Sequence, residues 1–303
     1  MEKQKKTDRV KKQSRLRLII QVLAAALFNG YVIGFAKGKI FTGPTKAVCV
    51  PVLNCYSCPG ALGACPIGAL QAVLGGKRYS FSFYVLGLIM LFGVVLGRLI
   101  CGFLCPFGLL QDLLHKIPVR KVKVPRKVDG PLRWLKYVLL VLLVFLLPIF
   151  LRDRFGIGAP YFCKWVCPAG ILEGALPLIA KNSGLRAGLG FLFSWKFAIL
   201  LIVIVLSTMI YRPFCKYICP LGGFYGLFNK FALFQMRVDK DKCIGCGKCV
   251  RECPMEVDVL KNINSRECIR CGRCKSVCPT EAISAGFFVR AVNSENQKRK
   301  NEE

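Results

Sequence analysis

Eight cysteines toward the C-terminal end are spaced for metal chemistry. Cys243, Cys246, Cys249 and Cys253 form a C-x2-C-x2-C-x3-C run closed by Pro254, and Cys268, Cys271, Cys274 and Cys278 repeat it, closed by Pro279. Thiolates at this spacing hold [4Fe–4S] clusters, and in two-cluster arrangements the fourth cysteine of each run ligates the other cluster. The first cluster then takes Cys243, Cys246, Cys249 and Cys278, and the second takes Cys268, Cys271, Cys274 and Cys253. Gly245, Gly247 and Gly272 let backbone N–H groups turn toward the sulfides as an anion-binding nest. Zinc is the other reading of paired C-x2-C motifs, but two complete runs ending in Cys-Pro favour iron–sulfur. Lys248, Arg251, Arg270, Arg273 and Lys275 surround the runs. They read either as a solvated basic face or as a surface steering an acidic redox partner such as a soluble ferredoxin or flavodoxin.

A second set of cysteines is more dispersed. Cys-Pro-x-Gly occurs at Cys65–Gly68, Cys105–Gly108, Cys167–Gly170 and Cys219–Gly222. The last three copies carry a further cysteine four residues earlier, at Cys101, Cys163 and Cys215, whereas the first has Cys55 and Cys58 upstream. Proline suits the first turn of a helix, where its missing N–H costs nothing. A cysteine just before it sits at the positive end of the helix dipole, which favours the thiolate and an anionic cluster. Two such copies supply four thiolates. The expected pairings are a cytoplasmic-side centre from Cys101, Cys105, Cys215 and Cys219, and an outer centre from Cys58, Cys65, Cys163 and Cys167, with Cys55 as substitute for Cys58. The plain alternative is a set of small buried thiols whose Cys-Pro merely starts helices. Cys49 has no partner in the pattern and reads as structural.

These motifs need elements to carry them. The chain is 54% hydrophobic and carries a net charge of +29, with a mean hydropathy of +0.48. That is too apolar for an ordinary soluble domain of 303 residues. The basic residues flank long apolar runs, so anionic lipid rather than nucleic acid is the expected partner. Apolar stretches at about 16–35, 81–99, 132–150 and 191–211 are each near the length that spans a bilayer. Trp134, Trp195 and Tyr211 fall where interfacial aromatics belong. The first stretch stays apolar past Ala24, Ala25 and Ala26 and reads as an anchor rather than a cleaved signal. The pieces 66–74 and 168–179 are too short to span. Lysine and arginine are concentrated in the 98–136 connection, which places it, the N-terminus and the C-terminal cysteine domain in the cytoplasm.

The expected fold is an α-helical integral membrane protein with four principal transmembrane helices in two tandem pseudo-symmetric halves, followed by a small α+β double-cluster ferredoxin domain. Its boundaries are a basic, disordered cytoplasmic arm at 1–17, membrane halves at 18–120 and 121–235, the ferredoxin domain at 236–288 and a disordered tail at 289–303. Each half reads as span, outer motif, span, inner motif, and a pseudo-two-fold axis along the membrane normal brings the two inner motifs together, and likewise the two outer ones.

The arrangement resembles the NapH/NosR group of membrane-bound polyferredoxins. The likeness covers roughly residues 16–285. It rests on Arg98 with Cys101, Cys105 and Pro106, on Arg212 with Cys215, Cys219 and Pro220, and on the two ferredoxin runs. It implies electron transfer between a cytoplasmic donor or the quinone pool and an extracytoplasmic reductase or its maturation, with those cysteines as redox ligands. Two departures stand out. Neither outer connection exceeds about 45 residues, which leaves no room for the extracytoplasmic flavin-binding domain of the NosR branch. The cysteine cluster at 55–65 also exceeds what two-motif members require.

Other classes fit less well. A haem route needs paired axial ligands, and the chain has one histidine, His115, expected on a helix surface near the headgroups. No nucleophile–base pair or phosphate-binding loop stands in the sequence, so bond-making catalysis is not indicated. A transporter would put charge inside its spans, which are nearly free of it. An assembly or regulatory protein that senses redox state, including a copper-reducing accessory, is the remaining rival. The cofactors expected are two [4Fe–4S] clusters, up to two further iron–sulfur or metal centres in the membrane part, and no haem.

Overall fold

The computed structural model describes residues 2–76 and 83–287; the expected tail at 289–303 lies outside the described residues. The protein is mostly helical, with a single antiparallel pair of strands among the described residues. Among the described residues, two helices are long and apolar enough to cross a membrane, Lys127–Phe150 and Phe191–Met209. Residues 77–82, at the start of the second expected span, lie outside the described residues, and the helix described from Phe83 runs to Leu96. It stops at Gly97, whose φ of +53° is left-handed. The first apolar stretch breaks after Phe28, where Tyr31 N–H turns to Gly60 O (3.1 Å) and Leu62 N–H to Phe28 O (3.0 Å), and a short helix resumes at Val32–Lys37. Upstream, residues expected as a disordered arm are instead part of helix Glu2–Phe28.

Contacts divide the chain into two compact units. The first comprises Met1–Ile20, Leu91–Phe103 and Tyr225–Glu303; the second comprises Gln21–Met90 and Leu104–Phe224.

In the first unit, strand Phe234–Val238 pairs antiparallel with Ile283–Phe287, in register from Phe234↔Phe287 to Val238↔Ile283. Their inward faces meet a small core of Met236, Cys249, Val259, Cys274 and Ile283. The short helices Lys248–Arg251 and Arg273–Val277 each start at a left-handed glycine, Gly247 (φ +66°) and Gly272 (φ +75°), as expected for nests at those positions. The end of the second apolar stretch is bound into the same unit. Arg98, fully buried, pairs with Glu267 at 2.9 Å and donates to Arg266 O at 2.8 Å. Asn229 accepts Arg98 N–H and donates to Ser265 O and Cys268 O. Gly102 lies so close to the 268–271 loop that an added Cβ would sit 2.3 Å from Ile269 O. The N-terminal helix joins through Arg17, which donates to Gly102 O at 2.9 Å, and Gln13, which reaches Cys271 O at 3.4 Å.

In the second unit, every Cys-Pro-x-Gly begins or closely precedes a helical segment. Helices Pro66–Leu74, Pro106–Leu114 and Pro220–Phe228 start at the proline, although the last passes into the first unit at Tyr225. Cys167-Pro168 precedes the π-helical turn Gly170–Ala175. The first and third copies are tied by a glycine pair. Gly158 N–H donates to Gly75 O at 2.8 Å, and a Cβ on Gly75 would lie 2.5 Å from Gly158 O. Another tie is a buried ion pair, in which Arg212 meets Asp112 through Nε–Oδ1 (2.8 Å) and a second nitrogen to Oδ2 (2.5 Å). Asp129, at the start of the third apolar helix, pairs with Lys216 at 2.7 Å and accepts the Tyr217 hydroxyl at 2.7 Å.

Candidate iron–sulfur sites

The two C-terminal runs fold so that each receives a cysteine from the other. Cys243, Cys246, Cys249 and Cys278 line one small cavity, with Val238 and Ile283 of the strands also in its wall. Burial raises the Cys249 thiol, and the charges of Cys246 and Cys278 add to the rise. Around the second run, burial pushes Cys268 up to about 12, with Cys271 and Cys253 contributing. Cys274 is raised by burial and by Cys271, Cys268 and Cys253. Cys278 thus lies with the first run, and Cys253 lies within charge reach of the second. Backbone N–H groups already point at sulfur: Arg270 N–H to Cys268 Sγ and Val257 N–H to Cys253 Sγ, each at 3.4 Å. Buried thiols within charge reach of one another resist ionisation, and the cationic iron–sulfide core of a cluster would remove that penalty. Among the described residues no three His, Cys, Asp or Glu side chains converge as on a single ion. The thiols around the cavity frame a space, which suits a multi-iron cluster better than one metal bound at about 2.3 Å.

Of the five basic residues expected around the runs, Lys248, Arg251, Arg273 and Lys275 are exposed. Arg270 is not. Its side chain is buried and donates to Leu96 O (2.8 Å) and Asn229 O (2.6 Å), so it braces the second run against neighbouring carbonyls.

In the outer motifs, the first and third copies come together as the pseudo-symmetry requires. Burial raises Cys163 to about 12, and the charges of Cys65 and Cys55 raise it further. Cys167, also buried, is raised well above its ordinary value by burial, then by Cys163, Cys55 and Cys65. Cys55, Cys65, Cys163 and Cys167 thus lie within charge reach of one another, and Cys58 within reach of Cys55. Cys58 also reaches Asn29 Oδ1 at 3.5 Å and lies near Lys46, whose ammonium donates to Ala61 O. Cys49 is buried near Cys65.

In the inner motifs, Cys105, Cys215 and Cys219 belong to the second unit and Cys101 to the first; all four are buried. Cys215 sits in the π-helical turn Phe214–Ile218, and Cys219 accepts Gly222 N–H at 3.4 Å.

Sequence reasoning overlooked a set of polar residues six positions after the Cys-Pro cysteine. Gln71 donates to Cys163 Sγ (3.3 Å) and accepts Phe162 N–H (2.9 Å). Gln111 repeats this in the inner layer, donating to Cys215 Sγ (3.1 Å) and accepting Phe214 N–H (3.2 Å). In the third copy the same offset holds Glu173, which accepts Cys55 N–H at 2.8 Å. Each of these residues grips the motif of the opposite half. The signal was present in the alignable spacing of Gln71, Gln111 and Glu173. His115 packs edge-on against Tyr211, with ring centroids 5.3 Å apart.

The 4Fe-4S binding domain family matches the chain three times, at residues 79–125, 135–186 and 192–240, and the 4Fe-4S dicluster domain family matches residues 235–279. The three repeats take in the second, third and fourth Cys-Pro copies, and the dicluster match takes in both C-terminal runs. Fold and site together thus define a ferredoxin-type iron–sulfur protein. Its relatives include Uncharacterized protein MJ0750 of Methanocaldococcus jannaschii, 30% identical over 186 residues that cover 59% of this chain and 67% of that one. Methylamine utilization ferredoxin-type protein MauN of Methylorubrum extorquens is 28% identical over 229 residues, 72% of this chain and 70% of MauN. Regulatory protein NosR of Pseudomonas aeruginosa is 30% identical over 164 residues, 52% of this chain and 20% of NosR. The chain belongs to the NapH/NosR-type ferredoxin-like membrane proteins. No solved structure matches it.

Proposed function

We propose that the chain is a membrane-bound electron-transfer protein passing electrons between a cytoplasmic donor or the quinone pool and a membrane or extracytoplasmic acceptor. The observation that supports this reading is the cavity that Cys278 shares with Cys243, Cys246 and Cys249, together with a repeated Cys-Pro system in which Gln71 and Gln111 donate to Cys163 and Cys215. When bound, [4Fe–4S] clusters supply one-electron carriers whose potentials follow hydrogen bonding and exposure. The chain's own part is to hold the thiols, aim N–H groups at sulfur and limit water. Cys243, Cys246, Cys249 and Cys278 hold one cluster, and Cys268, Cys271, Cys274 and Cys253 the other. Cys101, Cys105, Cys215 and Cys219 form an inner centre, and Cys55, Cys65, Cys163 and Cys167 an outer one. The full fold is four spans in two tandem halves, in the cytoplasmic membrane, with the ferredoxin segment in the cytoplasm.

The test is iron and acid-labile sulfide per purified chain, with EPR-monitored redox titration. Two clusters give about eight irons and four centres about sixteen. About eight irons removes the membrane centres, and none removes the reading altogether. The likeness to a protein named as regulatory, NosR, favours one second reading, a redox sensor without bulk electron flux. Reduced protein in liposomes that fails to reduce any quinone or enclosed acceptor supports the sensor.

A further inference from the structure

The two cysteine runs differ sharply in how the first unit surrounds them. The second run is enclosed. Arg98 and Glu267, Arg270, Asn229, Gly102 and Gln13 all bind or abut the 265–272 segment. The first run opens outward. Its cavity reaches solvent beside Ile244, which is 67% exposed, and Leu260, which is 42% exposed. Around these two apolar side chains stand the exposed bases Lys240, Lys242, Lys248, Arg251 and Lys261. The nearby carboxylates are Asp239, 3.8 Å from Lys242, Glu252, 3.8 Å from Arg273, Glu281, paired with Arg9, Asp258, which accepts Lys261 N–H, and Asp241. An apolar centre within a charged rim is the anatomy of a transient protein interface.

We propose that this face is the docking surface for an acidic one-electron carrier protein, with Ile244 and Leu260 as its apolar centre and Lys240, Lys242, Lys248 and Lys261 as its steering charges. The inference rests on the electron-transfer reading above and gives the ferredoxin segment a polarity: partners meet the first run, and the second run faces the rest of its own unit. A chain with a net charge of +29 adds a long-range field that speeds encounter with an acidic partner.

The experiment uses the full chain in nanodiscs and an acidic flavodoxin as probe, with binding read by biolayer interferometry at low and at 0.5 M salt, roughly the range over which the screening length falls to a few ångströms. Wild type binds at low salt and weakens at high salt, and Lys242→Glu with Lys248→Glu weakens low-salt binding about tenfold or more. Arg273→Glu with Lys275→Glu, an equal charge reversal at the second run, stays within about twofold. Iron is counted on the same preparations. If the first variant loses iron, Lys240→Glu with Lys261→Glu, which lies off the cysteine run, decides in its place. Equal weakening by the second-run variant, mouth variants within twofold of wild type, or no flavodoxin binding by an iron-loaded wild type would each overturn the proposal. Iron-free wild type overturns the electron-transfer reading instead, so the two failures are distinct.

Discussion

The Asp112–Arg212 pair is the sharpest stability test in the molecule. The Arg212 side chain is 0% exposed and that of Asp112 12%, and they meet through two contacts of 2.5–2.8 Å. Gln21 adds a hydrogen bond to Asp112 Oδ2 at 3.1 Å. Removing one partner of a buried pair leaves a desolvated charge without its counter-ion and costs about 3–5 kcal/mol, whereas replacing both with apolar residues is close to neutral. Asp112→Ala therefore lowers the thermal midpoint by roughly 6–20 °C, at about 2–4 °C per kcal/mol for a chain somewhat larger than 200 residues. Arg212→Leu alone falls in the same range. The double variant Asp112→Ala/Arg212→Leu is milder than the sum of the two, because the second change removes the charge the first one stranded. The assay is scanning fluorimetry in one detergent at one scan rate, since membrane proteins commonly unfold irreversibly. An Asp112→Ala loss below about 1 kcal/mol, or simple additivity in the double variant, would show that the pair carries no coupling and that this account of the second unit is wrong.

Three further outcomes follow from the site geometry. Cys55→Ser lowers iron per chain by about four while Cys58→Ser leaves it unchanged, measured on purified protein; the reverse pattern restores Cys58 to the outer set. Gln111→Leu removes an N–H donor from Cys215 and moves one EPR-detected midpoint to more negative values, because hydrogen bonds to sulfur stabilise the reduced state; a spectrum with every midpoint unmoved refutes the contact. Gly102→Ala drives a Cβ against Ile269 O at 2.3 Å, costs about 1–3 kcal/mol by overpacking, and speeds amide exchange across residues 265–271. Unaltered exchange there would mean that the loop is not held by this contact.

Much of the site was legible because cysteine chemistry fixes spacing. A run of C-x2-C-x2-C-x3-C-P admits few geometries, and Cys278 lines the same cavity as Cys243, Cys246 and Cys249. The pairing of outer copies was legible for a different reason: a tandem repeat predicts its own symmetry partners. What escaped lay between these levels. The choice of Cys55 over Cys58 depends on a turn in which Glu173 holds Cys55 N–H, and no periodicity reports a turn. Glutamine reads as an ordinary helix residue until the opposite half supplies Cys163 or Cys215 to accept its N–H. Arg270 looked like a surface charge because its acceptors, Leu96 O and Asn229 O, are distant in sequence. The break in the first apolar stretch after Phe28 and the end of the second helix at Leu96 share this logic. Hydropathy counts residues and is blind to Gly97 turning left-handed or to Tyr31 pairing with Gly60 O. In each case the missing information is a long-range partner for a polar group. Buried polar groups must find partners; the shared offset of Gln71, Gln111 and Glu173 from their cysteines marks these residues in the sequence, but which group each would meet is fixed only by the fold.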